Sequence, residues 1–572
     1  MLGLLRCRKL SAAGQTCRAF TRRSSSTPTT STLIGHVVGS DAGVVAILPE
    51  RHTALVPGAI VSIGAECAIG VVMWQRSLLY MVALLDAGAQ GCKTGDTAYA
   101  EIGASHRSEK QLTLVSTAAG RYTGLEAWAQ VSTSTAGDDP SVIEPAAVFQ
   151  QSARSSERAA ITRSMLTGVA AIDVLTPMGC GQSMLFVGGP HKRWNLAQLV
   201  AQFAPLQQPA FVCYANLGEL HEPALTPSCA WLRPAQGASK SHSLLVTMAA
   251  LSIGEVHMRA GEDALVVIDD LTPIRDVWLA SSRLIAQHYA NDGFGGDDAG
   301  ESREFYAALT EHAASLAVGG SLTIIMAAPA GFSATTGEHH GDEQRAYTHA
   351  DYSPAERTTA NRVAILCNRG VRVTRSVLDK LKLQPPGGLR ASAEAGAHVE
   401  MLKSLMDGHV TIDGAEAEIG TSPPISLAKS LTRIGTGSCR WLRSNPQAPA
   451  LRGLVEGLRL ALSSASDSAN ASDNPEEAQR FAKVWREALK QDPGRPRILS
   501  MQVVRALAAL NGYALLGSAS LDALEQVVHQ GDTAAVMERV DATRALTNVD
   551  REALEHRIAA FYRSQTSAIN ST

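Results

Sequence analysis

Residues Thr167 to Gln182 read TGVAAIDVLTPMGCGQ, and the chain runs straight on into SMLFVGG, Ser183 to Gly189. The second string is an unbroken apolar run of strand length that stops at glycine, and a helical period follows from Asn195 to Phe203. Three more such runs come later: AFVCYANLGE (Ala210 to Glu219), ALVVIDD (Ala264 to Asp270) and SLTIIMAA (Ser321 to Ala328). None has a polar face. Strands of this kind, separated by helical patterns, must be covered on both sides, which predicts a parallel sheet between layers of helix.

Outward from that core the pattern changes. From Gly35 to Ala100 the runs are short and evenly punctuated. GHVVGSDAGVVAIL turns near Gly43, LVPGAIVSIG turns at Pro57-Gly58, GVVMWQ and LLYMVALL follow, and Gly95-Asp96 closes the set. This spacing predicts a small β-barrel. The start is basic, with Arg6, Arg8, Lys9, Arg18, Arg22 and Arg23 and no acid before Asp41, while Ser and Thr fill Ser24 to Thr32. Such a start reads as an organellar transit peptide, mitochondrial ahead of plastid; the plain alternative is a basic tail. Between the last sheet strand and Val399 lies a His-rich stretch (His339, His340, His349) and then Pro385-Pro386-Gly387-Gly388, which reads as an insertion or extended loop. From Leu451 the period is helical, broken by a polar linker beginning at Ser463. The expected organisation is a leader over 1–32, a barrel over 33–105, an α/β nucleotide-binding-like domain over 106–445 with an insertion at about 331–399, and a helical domain over 446–572.

The chain has 572 residues, a net charge of -3 and 45% hydrophobic residues, enough for several cores. The near-zero charge argues against a general nucleic-acid binder. The longest apolar runs are broken well short of bilayer-spanning length, so no membrane span is expected. Nine cysteines show no CxxC and no zinc-like His/Cys spacing, which points to reduced, mostly buried thiols.

The string TGVAAIDVLTPMGCGQ resembles the lead-in to the nucleotide-binding domain of the rotary ATPase α and β subunits, a TG-x-x-x-x-D-x-L-x-P-x-G-x-GQ pattern. Thr167, Gly168, Asp173, Leu175, Pro177, Gly179, Gly181 and Gln182 match it. The family continues with GxxxxGK[ST], whose backbone N–H groups cradle phosphate, whose Lys reaches the terminal phosphates and whose hydroxyl binds magnesium. Here the loop reads GGPHKRWNLA from Gly188. Depending on a one-residue register choice, the Lys position holds Arg193 or Trp194 and the hydroxyl position Trp194 or Asn195. Pro190 also removes a donor. Gly188, Gly189, Lys192, Arg193, Gln182 and Asp269 are thus expected to form a degenerate nucleotide site, taking ATP or ADP with magnesium only weakly. Asp269, in the strand resembling Walker B, is the implied magnesium residue; a helix-capping role is the structural alternative. Glu219 stands where catalytic β subunits orient water and α subunits usually carry Gln. Without the Lys and hydroxyl it cannot complete phosphoryl transfer.

Other strings resemble the α subunit in particular. FYAALTEHAA, from Phe305, is similar to an α-subunit helix with His312 in place of Arg, and GGSLT, from Gly319, to the strand start that follows it. PPISLAKSLTRIGTGS, Pro423 to Ser438, resembles the segment ending S-x-S-R-x-GS. This puts Arg433 where α subunits present an arginine finger in trans; an ordinary surface Arg is the alternative reading. In the tail, Leu489, Lys490, Gln491, Gln502, Val503, Gly512 and Tyr513 match. Between His288 and Glu304 the chain departs from the family's rotor-facing loop.

The resemblance implies a non-catalytic α-type subunit of the mitochondrial proton-translocating F-type ATP synthase head. Such a chain alternates with β subunits in a hetero-hexameric ring, meets central-stalk and peripheral-stalk subunits, and lies in the matrix on the inner-membrane complex. It has no nucleic-acid partner and does not itself hydrolyse ATP. The alternative is an α-like paralogue acting in assembly or regulation without a place in the ring. A Rho-type nucleic-acid motor shares the fold, but the helical tail, the missing basic patch and the leader count against it.

Overall fold

The computed structural model describes residues 31–101, 111–188, 195–289, 299–328, 348, 357–433 and 483–570. Excepted within these ranges are 51–53, 66–67, 86–91, 117–121, 124–128, 134–145, 208–209, 219–228, 370, 382, 384–386, 419, 512 and 514–517. The leader as far as Thr30, Glu219 and the loop from Gly189 to Trp194 lie outside the described residues.

The first six strands are β1 (Ser31–Asp41), β2 (Val44–Pro49), β3 (Ile60–Ile63), β4 (Ala68–Arg76), β5 (Leu79–Leu84) and β6 (Thr97–Glu101). They close a barrel in the order β1-β2-β5-β4-β3-β6. Its first strand begins at Ser31, two residues inside the expected leader. Ile34, Val45, Ile47, Ile63, Val72, Tyr80 and Val82 fill the interior. The alternate residues Val44, Ala46, Val71, Met73, Met81 and Ala83 are also buried, in the core of the next domain. This double burial explains why LLYMVALL lacks the apolar–polar alternation of a half-exposed strand: one face fills the barrel and the other docks. Arg76 bridges the two bodies. It pairs with Glu301, donates to Ser282 Oγ at 2.7 Å and lies 4.0 Å over the Trp278 ring. A charge this deeply buried needs such partners.

The central sheet is built on β8 (Ser183–Val187), β9 (Phe211–Ala215), β10 (Cys229–Pro234), β11 (Asp263–Ile268), β12 (Ser321–Ala328) and β13 (Gly408–Ile412). Its antiparallel edges are β7 (Ala129–Thr133) and β14 (Ile425–Thr432). The order is β14-β13-β8-β12-β11-β9-β10-β7, with Ala314–Ser315 pairing beside β12. The six inner strands are parallel. Both faces are covered, as the apolar runs predict. Leu185, Val187, Val266 and Ile268 enter one core, and Met184, Phe186, Leu265 and Val267 the other. The helices are α1 (Ala170–Leu175), α2 (Leu196–Gln207), α3 (Ser241–Arg259), α4 (Thr272–His288) and α5 (Ala299–Thr310). His312, just after α5, is buried and hydrogen-bonded to buried Glu255 of α3, so this side chain serves the core.

Within the segment expected as an insertion or extended loop, α6 (Arg357–Asn368), α7 (Arg375–Lys380) and α8 (Gly387–Leu405) are helical. Val399, Leu402 and Met406 recur at helical spacing and enter the main core, so the last part of this segment belongs to the central domain. The tail helices α9 (Leu499–Leu510), α10 (Ser518–Val528), α11 (Ala534–Thr543) and α12 (Asn548–Asn570) have their own core around Trp485, Val503, Leu507, Leu524 and Leu554. Among the described residues no helix is long and apolar enough to cross a membrane, and no disulfide joins the cysteines.

Candidate functional site

In an open parallel sheet, ligands meet the carboxyl ends of the strands, where loops and helix N-termini converge. Strand β8 delivers Gly188 to that edge. Gly188 sits at φ +113°, and a Cβ there would lie 2.3 Å from the Ile412 carbonyl oxygen. Only glycine satisfies both conditions, so the first glycine of the loop keeps a structural reason of its own. The chain returns at Asn195, which precedes α2. Asn195 Oδ1 accepts from the Gln198 backbone N–H at 3.3 Å, and its amide donates to Gln198 Oε1 at 3.4 Å. An N-cap of this kind turns the side chain onto its own helix.

Strand β11 brings Asp269 to the same edge. Its Oδ1 accepts from the backbone N–H of Leu217 at 2.7 Å and of Gly218 at 3.3 Å, and its Oδ2 accepts from Tyr214 Oη at 3.3 Å. Burial pushes its pKa up to about 6, against the pull of those donors. The Tyr214 hydroxyl is pushed up by the same burial and by the Asp269 charge. Asp270 accepts from Thr272 N at 2.7 Å and starts α4. A magnesium-bound nucleotide needs a carboxylate and a hydroxyl turned toward the loop. Here the Asp269 carboxylate, the residue implied for magnesium, holds the β9 exit, and the side chain at position 195 caps a helix.

Two expected site residues lie at the other end of the sheet. Gln182 precedes β8, so the whole strand separates it from the loop, and its side chain is fully buried. Its Oε1 accepts from Gly179 N at 2.8 Å, and its Nε2 donates to Asp407 O at 3.3 Å and to Thr432 Oγ1 at 3.2 Å. Arg433 follows β14, which runs against its neighbours and so ends at this lower edge. It is exposed, and its guanidinium donates to the carbonyls of Lys403 at 3.0 Å, Ser404 at 3.1 Å and Met406 at 2.8 Å. These carbonyls lie at and just past the end of α8, where a cation is favoured. Asp407 was not legible as a functional residue; its one local signal is the Asp-Gly pair just ahead of a strand.

The TG-x-x-x-x-D string has a different task. Asp173 is buried and accepts from Thr167 N at 2.8 Å, Thr167 Oγ1 at 2.7 Å, Gly168 N at 3.1 Å and Gln502 Nε2 at 2.8 Å. Gln491 completes the joint, accepting from Ala170 N at 2.9 Å and donating to Gly168 O at 2.8 Å. Gly168, at φ +72°, leaves no room for a Cβ, which would lie 2.9 Å from Phe203 Cβ. The Thr167–Asp173 motif and the two tail glutamines are thus one hydrogen-bonded unit joining sheet domain to helical domain.

No protein-family model matches the chain. It is 23% identical over 427 residues to "ATP synthase subunit alpha 2" of Albidiferax ferrireducens, covering 70% of this chain and 66% of that one. It is 23% identical over 430 residues to the protein of the same name from Polaromonas naphthalenivorans (70% and 68%). A third relative, "ATP synthase subunit alpha" of a Janthinobacterium species, is 23% identical over 431 residues (71% and 73%). The chain is similar to bacterial ATP synthase α subunits. It matches about two thirds of the length of these relatives, and its closed barrel, parallel sheet and helical tail are the architecture expected from the α-subunit resemblance.

Proposed function

We propose that this α-like chain is a non-catalytic α-type subunit of the mitochondrial F-type ATP synthase head, alternating with β subunits and meeting the stalk subunits. In this reading it supplies Arg433 as a finger in trans. The observation that carries the proposal is the position of Arg433: exposed, and at the end of the outermost strand of the central sheet, where a neighbouring subunit has access to it. The basic, acid-free leader supports import into the matrix. The commitment of Asp269 and Asn195 to the protein's own backbone supports a subunit that no longer needs its own magnesium site. The α position tolerates that loss, since the β subunits carry the chemistry. The test is mass spectrometry of purified mitochondrial ATP synthase. The chain is expected in amounts stoichiometric with β. Presence only in assembly intermediates would favour the second reading, a regulatory or assembly paralogue, which the departure between His288 and Glu304 supports.

The loop itself yields an expected result. The purified chain should turn over no ATP, and its affinity for ATP or ADP should be weak and electrostatic, resting on Lys192 and Arg193. Calorimetric titration with magnesium at low and raised salt checks this, because exposed charge attraction is screened. Micromolar affinity that resists salt, or turnover abolished by Asp269→Ala, would overturn it.

A further inference from the structure

We propose that Gln182, acting with Asp407 and Thr432, is a positioning residue for Arg433, so that the Gly-Gln end of the Thr167–Gln182 string aims the finger and does not bind nucleotide. The inference rests on the reading of Arg433 as a finger. One carbonyl, that of Asp407, accepts both from Gln182 Nε2 at 3.3 Å and from the Arg433 backbone N–H at 2.9 Å. Thr432, the residue next to Arg433, receives Gln182 Nε2 at 3.2 Å and donates through its own hydroxyl to Pro177 O at 3.1 Å. The Asp407 carboxylate is held in turn by Ser183, whose N–H and Oγ both reach Oδ2 at 2.9 Å. Residues 177–183 therefore clamp the chain on both sides of the Arg433 backbone nitrogen. A finger is useful only in a narrow geometry. A misplacement of about 1 Å costs roughly 100-fold in rate. The side chain beyond this clamp is long, so its root must be fixed for its fork to arrive aligned. Gln182 suits the task because it is fully buried and its amide supplies both an acceptor for Gly179 N and the donors for the clamp.

The experiment is a double-mutant cycle in the complex reconstituted with ATP synthase β, comparing wild type, Gln182→Ala, Arg433→Ala and the double variant by ATP turnover at saturating substrate. Gln182→Ala is expected to lower kcat by roughly 10- to 100-fold with little change in KM. In the Arg433→Ala background it should cost nothing further, since there is no finger left to aim. An equal loss in both backgrounds would show a general folding role and overturn the proposal, as would no loss from Gln182→Ala alone. If Gln182→Ala fails to assemble, Thr432→Val removes the same contact from the strand side, and the same two outcomes apply to it. Near-normal turnover in Arg433→Ala would instead remove the finger reading, and the positioning role with it.

Discussion

Arg433→Ala is expected to lower ATP turnover by about three to five decades in a complex whose only α-type chain carries it, while assembly stays close to normal. The guanidinium would act on charge that develops only as the phosphoryl group transfers, so its loss falls on rate and not on association. The structure adds a competing cost. Arg433 also holds three carbonyls at the end of α8, a contact of the kind worth roughly 0.3–1 kcal/mol. Arg433→Lys separates the two. An ammonium still serves the carbonyls but lacks the planar fork. Stability should therefore recover in the Lys variant while turnover does not. Full recovery of both, or near-normal turnover in the Ala variant, would reduce Arg433 to a helix cap.

The second large effect is expected at Asp173. Asp173→Ala leaves four donors without their acceptor, from Thr167, Gly168 and Gln502. Unpaired buried groups cost about 1–3 kcal/mol each, with partial relaxation, so a loss on the order of 3–5 kcal/mol is expected. The helical domain should then become the first part to be cut by protease. The pH dependence has a definite sign. Burial raises the Asp173 pKa from its ordinary 3.8 to about 6, so the folded chain holds this proton more tightly than the unfolded one. That contribution is present below about pH 4 and is lost as pH rises to about 6 and beyond. Alanine does not titrate. The gap in stability between wild type and Asp173→Ala should narrow by roughly 1.4 kcal/mol between pH 5 and pH 7.5, about one pKa unit's worth, read from denaturant midpoints. A gap that widens with pH would show that the four donors outweigh burial.

Several features were legible in the residues alone. The apolar runs at Ser183–Val187, Ala264–Ile268 and Ser321–Ala328 all became inner parallel strands, because strand length and the lack of a polar face are local properties. The barrel was legible from its turns, although the outer burial of Val44 and Met81 was not, since that depends on what docks there. The segment after Gly331 reads as an insertion or extended loop because its start is polar and it contains Pro385-Pro386. The helix α8 beyond it overrode that impression through Val399, Leu402 and Met406, which find a core supplied by other parts of the chain.

The site divides along the same line. By itself the sequence determined the order of strands and helices, the loss of Lys and hydroxyl from the phosphate loop, and the likeness to α subunits, because each is written in residue type and short spacing. It did not determine what the matched residues touch. Gln182 reads as part of a nucleotide-binding string, yet its partners Asp407 and Thr432 are 225 and 250 positions away. Asp173 is answered by Gln502, 329 positions away. Asp269 stands at the expected strand end, but only the approach of the 214–218 segment turned its carboxylate inward. Hydrogen-bond partners at such separations are chosen by how strands are ordered across the sheet and by which edge each strand reaches. An antiparallel edge strand sends Arg433 to the opposite end from the loop, and that direction exists only once the chain has folded.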